Sequence, residues 1–179
     1  RDRGNSGMVV AGETDNLLEN VSVKKFSFTP VPGVRYRNNY VLACEDMNAL
    51  LEKNDTSGLV RLMRILAEDD LFFMLYFILG CQFLNTAFHV PRIAEVQMCN
   101  HRTLDLWARE HGKSTILTYG LIVWQIVKNP EITIGIFSHT RAIAKGFLRR
   151  IKVALEQNER LKMLWPHVIP QNPERDVPK

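Results

Sequence analysis

The stretch that decides the predicted fold is Arg102-Thr103-Leu104-Asp105-Leu106-Trp107-Ala108-Arg109-Glu110-His111-Gly112-Lys113-Ser114-Thr115. Leucines alternate with polar residues in its first half, which indicates a short strand. Residues 108–111 make a turn, and residues 113–128 have the length and composition of a helix that ends at Asn129-Pro130. Strand, turn, Gly-Lys-Ser/Thr and helix follow in the order that a phosphate-binding loop requires. The sequence therefore predicts a nucleotide site here.

Each residue type at this loop has a chemical reason. Gly112 would let the backbone approach the phosphates, and the free amides at the helix start would hold the anion together with the helix dipole. Lys113 would reach the β- and γ-phosphates, and the Ser114 hydroxyl would hold Mg²⁺. ATP and Mg²⁺ are thus the expected cofactors. The alternative is an ordinary helix start with Ser114 and Thr115 near its cap, but both flanks favour the nucleotide interpretation.

The loop departs from the general phosphate-loop pattern at one position. Trp107 stands where that pattern has its first glycine, five residues before Gly112. Arg109 lies inside the loop, where its guanidinium could meet the γ-phosphate and stabilise charge that builds on the transferred group.

This combination points to a protein family. The loop Ala108-Arg109-Glu110-His111-Gly112-Lys113-Ser114-Thr115 resembles the deviant Walker A motif of the large terminase subunits of tailed bacteriophages. Those motors also lack the first glycine and carry an arginine in the loop. Residues 132–140 look like the second ATPase strand and polar motif of the family, and residues 142–166 look like the helix that follows. Asp70-Leu71-Phe72-Phe73 and His89-Val90-Pro91 are similar to the family's helical lead-in.

The resemblance implies an α/β fold. We expect a P-loop NTPase of the additional-strand type, with a parallel sheet flanked by helices, incomplete in this chain, and a helical lead-in before it. Residues 1–40 would be a flexible or weakly structured segment, 41–100 the helical lead-in, and 101–179 the first part of the ATPase core. Residues 104–106 and 132–136 would be neighbouring strands, joined by a right-handed crossover through the helix from Lys113.

The resemblance also implies a function, the ATP-binding part of a motor that couples ATP hydrolysis to the translocation of DNA into a procapsid. Residues 108–115 would hold the nucleotide, with Arg109 and Lys113 acting in catalysis. The implied partners are double-stranded DNA, the portal protein, the small terminase subunit and further copies of the motor, and no membrane. The motor would work in the host cytoplasm, transiently docked on the procapsid portal.

Two other functions stay open at this point. One is another P-loop translocase of helicase type, and the other is a non-catalytic module that binds nucleotide or nucleic acid. The acidic strand and the nuclease of the family would lie beyond Lys179. We therefore expect the parent protein to be an ATPase and this chain alone to hydrolyse little or no ATP.

A basic stripe follows the second predicted strand. Its members recur at helical spacing beside a stripe of apolar residues, and they are Arg141, Lys145, Arg149 and Lys152. Such a stripe can contact DNA phosphates or can be an ordinary solvated face, and the solvated face is the commoner case.

Composition fits a globular domain without selecting its function. The chain has 179 residues, 46% of them hydrophobic, and a net charge of +4, which permits a nucleic-acid partner without requiring one. Three cysteines have no metal-ligand spacing, and we interpret them as buried, reduced thiols. The apolar run from Leu71 to Leu84 is shorter than the roughly 20 residues that cross a bilayer. It predicts a buried helix. Trp124 reads as a core residue, and Gln97 as an amide that could recognise adenine.

Overall fold

A computed structural model describes residues 25–99 and 103–169 of the chain, and in these parts the regular structure is helical. The helices are α1 Tyr40–Glu52, α2 Thr56–Asp69, α3 Leu71–Phe73 continued by Met74–Ile78, α4 His89–Met98, α5 Ser114–Gly120 continued by Leu121–Lys128, α6 Arg141–Gln157 and α7 Glu159–Leu164. Two of them are partly π-helical, α3 over Met74–Ile78 and α5 over Ser114–Gly120. A short 3₁₀ turn, Gln82–Leu84, separates α3 from α4.

Side-chain caps fix where several helices begin. In each case an oxygen of the residue before the helix accepts a hydrogen bond from an amide of the first turn, as helix N-caps do. The capping residues are Asn39, Asp55, Asp70, Thr140 and Asn158. Asp55 and Asp70, the caps of α2 and α3, each stand directly before a helix with buried apolar residues.

Helix α3 forms the centre of the core. Its side chains from Leu71 to Leu75 are all buried, and helices α2, α4 and α5 pack around it. The helix that was predicted for Leu71 to Leu84 ends earlier, because the chain turns at Gly80 with a φ of 70°. Trp124 of α5 is buried and donates from Nε1 to the Ala67 carbonyl at 2.8 Å, which confirms it as a core residue. Within the described helices, none is long and apolar enough to cross a membrane.

The predicted α/β fold is wrong for the described residues. Residues 103–108 and 132–138 carry no regular structure, so there is no parallel sheet there and no crossover between strands. Leu104, Leu106 and Phe137 are 82%, 80% and 95% exposed. Alternating residues predict a strand only where a neighbouring strand pairs with it and one face is buried. Neither condition holds in the described parts of the chain, and Arg102 lies outside them.

The two helices that were predicted to follow the loop are present. The helix that was predicted for residues 113–128 is α5, and the helix that was predicted after Thr140 is α6, capped by that threonine. The two helices touch one another. The loop that precedes α5 therefore lies among helices and not at the edge of a sheet.

Candidate phosphate-binding loop

The backbone of the loop turns sharply before α5. Glu110 has a φ of 67° and Gly112 a φ of 66°, both in the left-handed region. A residue with a side chain is uncommon there, and such positions cluster at functional sites. The helix that follows begins as a π-helix, another rare conformation that is often found at functional sites. The backbone thus marks the loop independently of its sequence motif.

Gly112 is required by packing as well as by its φ angle. A Cβ atom at this position would lie 3.2 Å from Cδ2 of Leu84, 3.4 Å from Nε2 of His89 and 3.5 Å from Cε2 of Phe83. These contacts come from the 3₁₀ turn and the first turn of α4. The glycine therefore lets the loop seat against the helical core, a role that the sequence motif did not indicate.

The loop presents a row of unsatisfied backbone donors. The amides of residues 109 to 114 have no hydrogen-bond partner among the described residues, whereas the amides of Thr115 and Ile116 donate to the Gly112 carbonyl at 2.9 and 3.0 Å. Free amides at a helix start attract anions, and the helix dipole adds to the attraction. The arrangement can bind a phosphate group.

The predicted site residues line one cavity. Residues 107–115 and Phe83 surround a space of about 510 Å³. Lys113 is half-buried at its edge, with Nζ 3.5 Å from the Asp105 carbonyl, while Arg109 and Ser114 are exposed. The structure thus brings together all eight residues that were predicted to hold the nucleotide, from Ala108 to Thr115.

A larger cavity adjoins the loop. Its volume is about 760 Å³, and its walls come from α4, from residues 103–108 and from α5. Trp107, Ala108 and His111 line both cavities. Together the two spaces have the size of a pocket for a small molecule, with the anion-binding part at the loop.

Two side chains of the site differ from the sequence interpretation. The Thr115 hydroxyl accepts a hydrogen bond from Nη1 of Arg150 at 3.3 Å, so it faces α6. The Arg150 guanidinium also lies over the Tyr119 ring, 4.2 Å from its centroid. Sequence reasoning missed Arg150, because its contact with Thr115 joins residues that are 35 positions apart. Gln97 is no adenine reader, because its amide bonds to the Asp69 carbonyl and the Leu71 amide.

The basic stripe lies on the surface of α6. Its four cations are exposed, and none of them forms an ion pair with another described residue. On the apolar side of the helix Ile151 is buried, and Leu155 packs against the core. Only the C-terminal half of the apolar stripe therefore meets the core, since Ile143 is 40% exposed and Ile151 is the one buried residue of this helix.

The described residues offer no ready-made metal cage. No group of three or more His, Cys, Asp or Glu side chains among them could hold a metal ion. A magnesium ion at this loop would fit the Ser114 hydroxyl and would take its other ligands from phosphate oxygens and water, the donor set that Mg²⁺ prefers with nucleotides. Cys44 and Cys81 are buried as predicted, but Cys99 is exposed and lines the larger cavity.

Comparison of the chain with protein-family models, with curated proteins and with solved structures gives no match.

Proposed function

We propose that this chain binds Mg-ATP through residues 108–115 and that it forms the nucleotide-binding part of a DNA-packaging motor. The observation that carries the proposal is the row of amides without a partner from residue 109 to 114, in residues that line one cavity at the start of α5 together with Lys113. Backbone donors, a cation and a helix start together are the features that bind a polyphosphate.

The two cavities divide the nucleotide between them. The phosphates occupy the loop, where Lys113 and Arg109 supply the positive charge and the Ser114 hydroxyl reaches the metal. The nucleoside occupies the larger cavity, whose aromatic wall includes Phe88 and Trp107, with ring centroids 5.9 Å apart. Arg109 then acts on charge that develops on the transferred phosphoryl group, since a guanidinium at this place offers two parallel donors.

Helix α6 supports a link between the nucleotide and DNA. One side of it carries the exposed basic stripe, and Arg150 on another side touches Thr115 at the loop. A helix with both contacts can transmit a change at the loop to bound DNA phosphates. Together with the resemblance to large terminase subunits, this favours a motor on double-stranded DNA, working with a portal protein and a small terminase subunit at the procapsid in the host cytoplasm.

Calorimetric titration with Mg-ATP tests the nucleotide site directly. The wild-type chain should bind, and Lys113→Ala should weaken binding by at least about tenfold, which corresponds to 1.4 kcal/mol. Lys53→Ala is the matched control, because Lys53 is an exposed lysine at the end of α1. Equal affinities of the two variants would remove Lys113 from the site, and absence of binding by the wild-type chain would remove the proposal.

A further inference from the structure

We infer that His89 locks one peptide bond of the phosphate loop in the orientation that binds anions, so that it is a positioning residue for the site. The inference rests on the proposed function. Nε2 of His89 lies 3.1 Å from the carbonyl oxygen of His111. A carbonyl only accepts hydrogen bonds, so Nε2 must carry the proton. The first turn of α4 thereby holds the loop through a defined donor.

Thr86 fixes the imidazole in this tautomer. Its hydroxyl lies 2.8 Å from Nδ1 of His89, and with Nε2 protonated the neutral ring accepts at Nδ1. The same hydroxyl oxygen accepts from the His89 amide at 3.1 Å. The rings of Phe83 and Phe88 meet the imidazole edge to face, with centroids 6.4 and 5.2 Å away. The ring is thus held in position, in plane and in one tautomer.

The geometry of the peptide bond makes this contact important for anion binding. In a trans peptide the carbonyl of one residue and the amide of the next point in opposite directions. When the His111 carbonyl faces His89, the Gly112 amide points away from α4, and that amide has no partner among the described residues. A flip of the same peptide would turn the carbonyl outwards instead, and its negative end would repel a phosphate.

The loop has the conformational freedom for such a flip. Glycine adopts both signs of φ with similar ease, and Gly112 is the residue on one side of this peptide. A second hydrogen bond restrains the loop in its observed conformation, since Nδ1 of His111 donates to the Arg109 carbonyl at 2.8 Å. Phe88 packs against this imidazole as well, at 5.2 Å between centroids. The lock at His89 therefore selects one of two accessible loop states.

The test compares two substitutions that differ in one donor. His89→Gln keeps an N–H near the Nε2 position, whereas His89→Leu has a similar size and none. We expect His89→Leu to weaken binding of Mg-ATP and of inorganic triphosphate about tenfold, and His89→Gln to stay within about threefold of the wild type, at similar melting temperatures. Equal losses in both variants would overturn the inference, and so would unchanged binding in folded His89→Leu.

A measurement without nucleotide separates this inference from the proposed function. In the ligand-free chain the Gly112 amide resonance should broaden or split in His89→Leu and stay single in His89→Gln, because the flip becomes accessible only without the donor. An unchanged resonance in His89→Leu would overturn the lock even if ATP binds. If His89→Leu fails to fold, Thr86→Val and Thr86→Ser take its place, and only the valine should disturb Gly112. Failure of the wild-type chain to bind Mg-ATP, with the Gly112 effect intact, would overturn the proposed function alone.

Discussion

Substitution of Gly112 by alanine tests both the backbone and the packing of the loop. The new Cβ would need a φ near 66°, which side chains rarely adopt, and it would lie 3.2 Å from the buried Leu84 and 3.4 Å from Nε2 of His89. The left-handed conformation costs a residue with a side chain about 1–2 kcal/mol. Crowding against a packed neighbour costs about 1–3 kcal/mol more.

The loop can avoid this cost only by leaving its observed conformation. The strain and the crowding together cost about 2–5 kcal/mol. If only 2 kcal/mol of this cost must be met when the nucleotide binds, its affinity falls about thirtyfold. The assay is calorimetric titration of the variant with Mg-ATP, together with thermal unfolding to separate affinity from global stability.

Gly33→Ala is the matched control. Gly33 has a φ of 74°, yet a Cβ there would meet nothing within 4 Å. Its substitution should therefore cost about 1–2 kcal/mol of folding stability from backbone strain and leave nucleotide affinity unchanged. The reasoning is refuted if Gly112→Ala and Gly33→Ala bind Mg-ATP equally well.

Three other predictions concern the helices and a buried thiol. Gly146→Ala should raise the unfolding free energy by about 0.5–1 kcal/mol, because Gly146 lies inside α6 with open space around it. Gly120→Ala should lower the unfolding free energy by about 1–3 kcal/mol, because its Cβ would overlap the buried Leu75. Urea unfolding of both variants checks these values, and equal effects would contradict the packing described. Burial raises the pKa of the Cys44 thiol from 9.0 to about 11, so the thiol's contribution to folding stability is complete below pH 9 and is lost as the pH rises towards 11. Between pH 8 and 10.5 the unfolding free energy of the wild type should fall by about 1–2 kcal/mol more than that of Cys44→Ala, and parallel curves would speak against this burial. Replacing the four cations of the basic stripe by glutamine should flatten the plot of log DNA affinity against log salt by up to about 0.9 per phosphate contact, and an unchanged slope would leave the stripe an ordinary solvated face.

Local signals predicted the helices well. Asp55 and Asp70 have short acceptor side chains before apolar runs, and caps of this kind depend on neighbours within three residues. Helix α5 starts after Lys113 without a side-chain cap, at the Gly-Lys-Ser sequence that marked its position. These elements could be read from the sequence because the interactions that fix them are close along the chain.

The predicted strands failed because strand formation depends on distant partners. Leu104 and Leu106 alternate as in a half-buried strand, but in the described structure nothing pairs with that segment and both side chains face solvent. The contacts of Arg150 with Thr115 and of His89 with the loop also join residues far apart in sequence, 35 and 22 positions. No local pattern encodes them. The loop motif identified the candidate site, while its supports became visible only in the packed structure.

Amide hydrogen exchange of the chain with and without Mg-ATP tests the central claim most directly. Because the amides of residues 109–114 have no partner among the described residues, they should exchange rapidly in the free chain and slow markedly when phosphates bind. Slowing should be concentrated there and should disappear in Lys113→Ala. Binding of Mg-ATP with protection elsewhere and none at residues 109–114 would contradict the account.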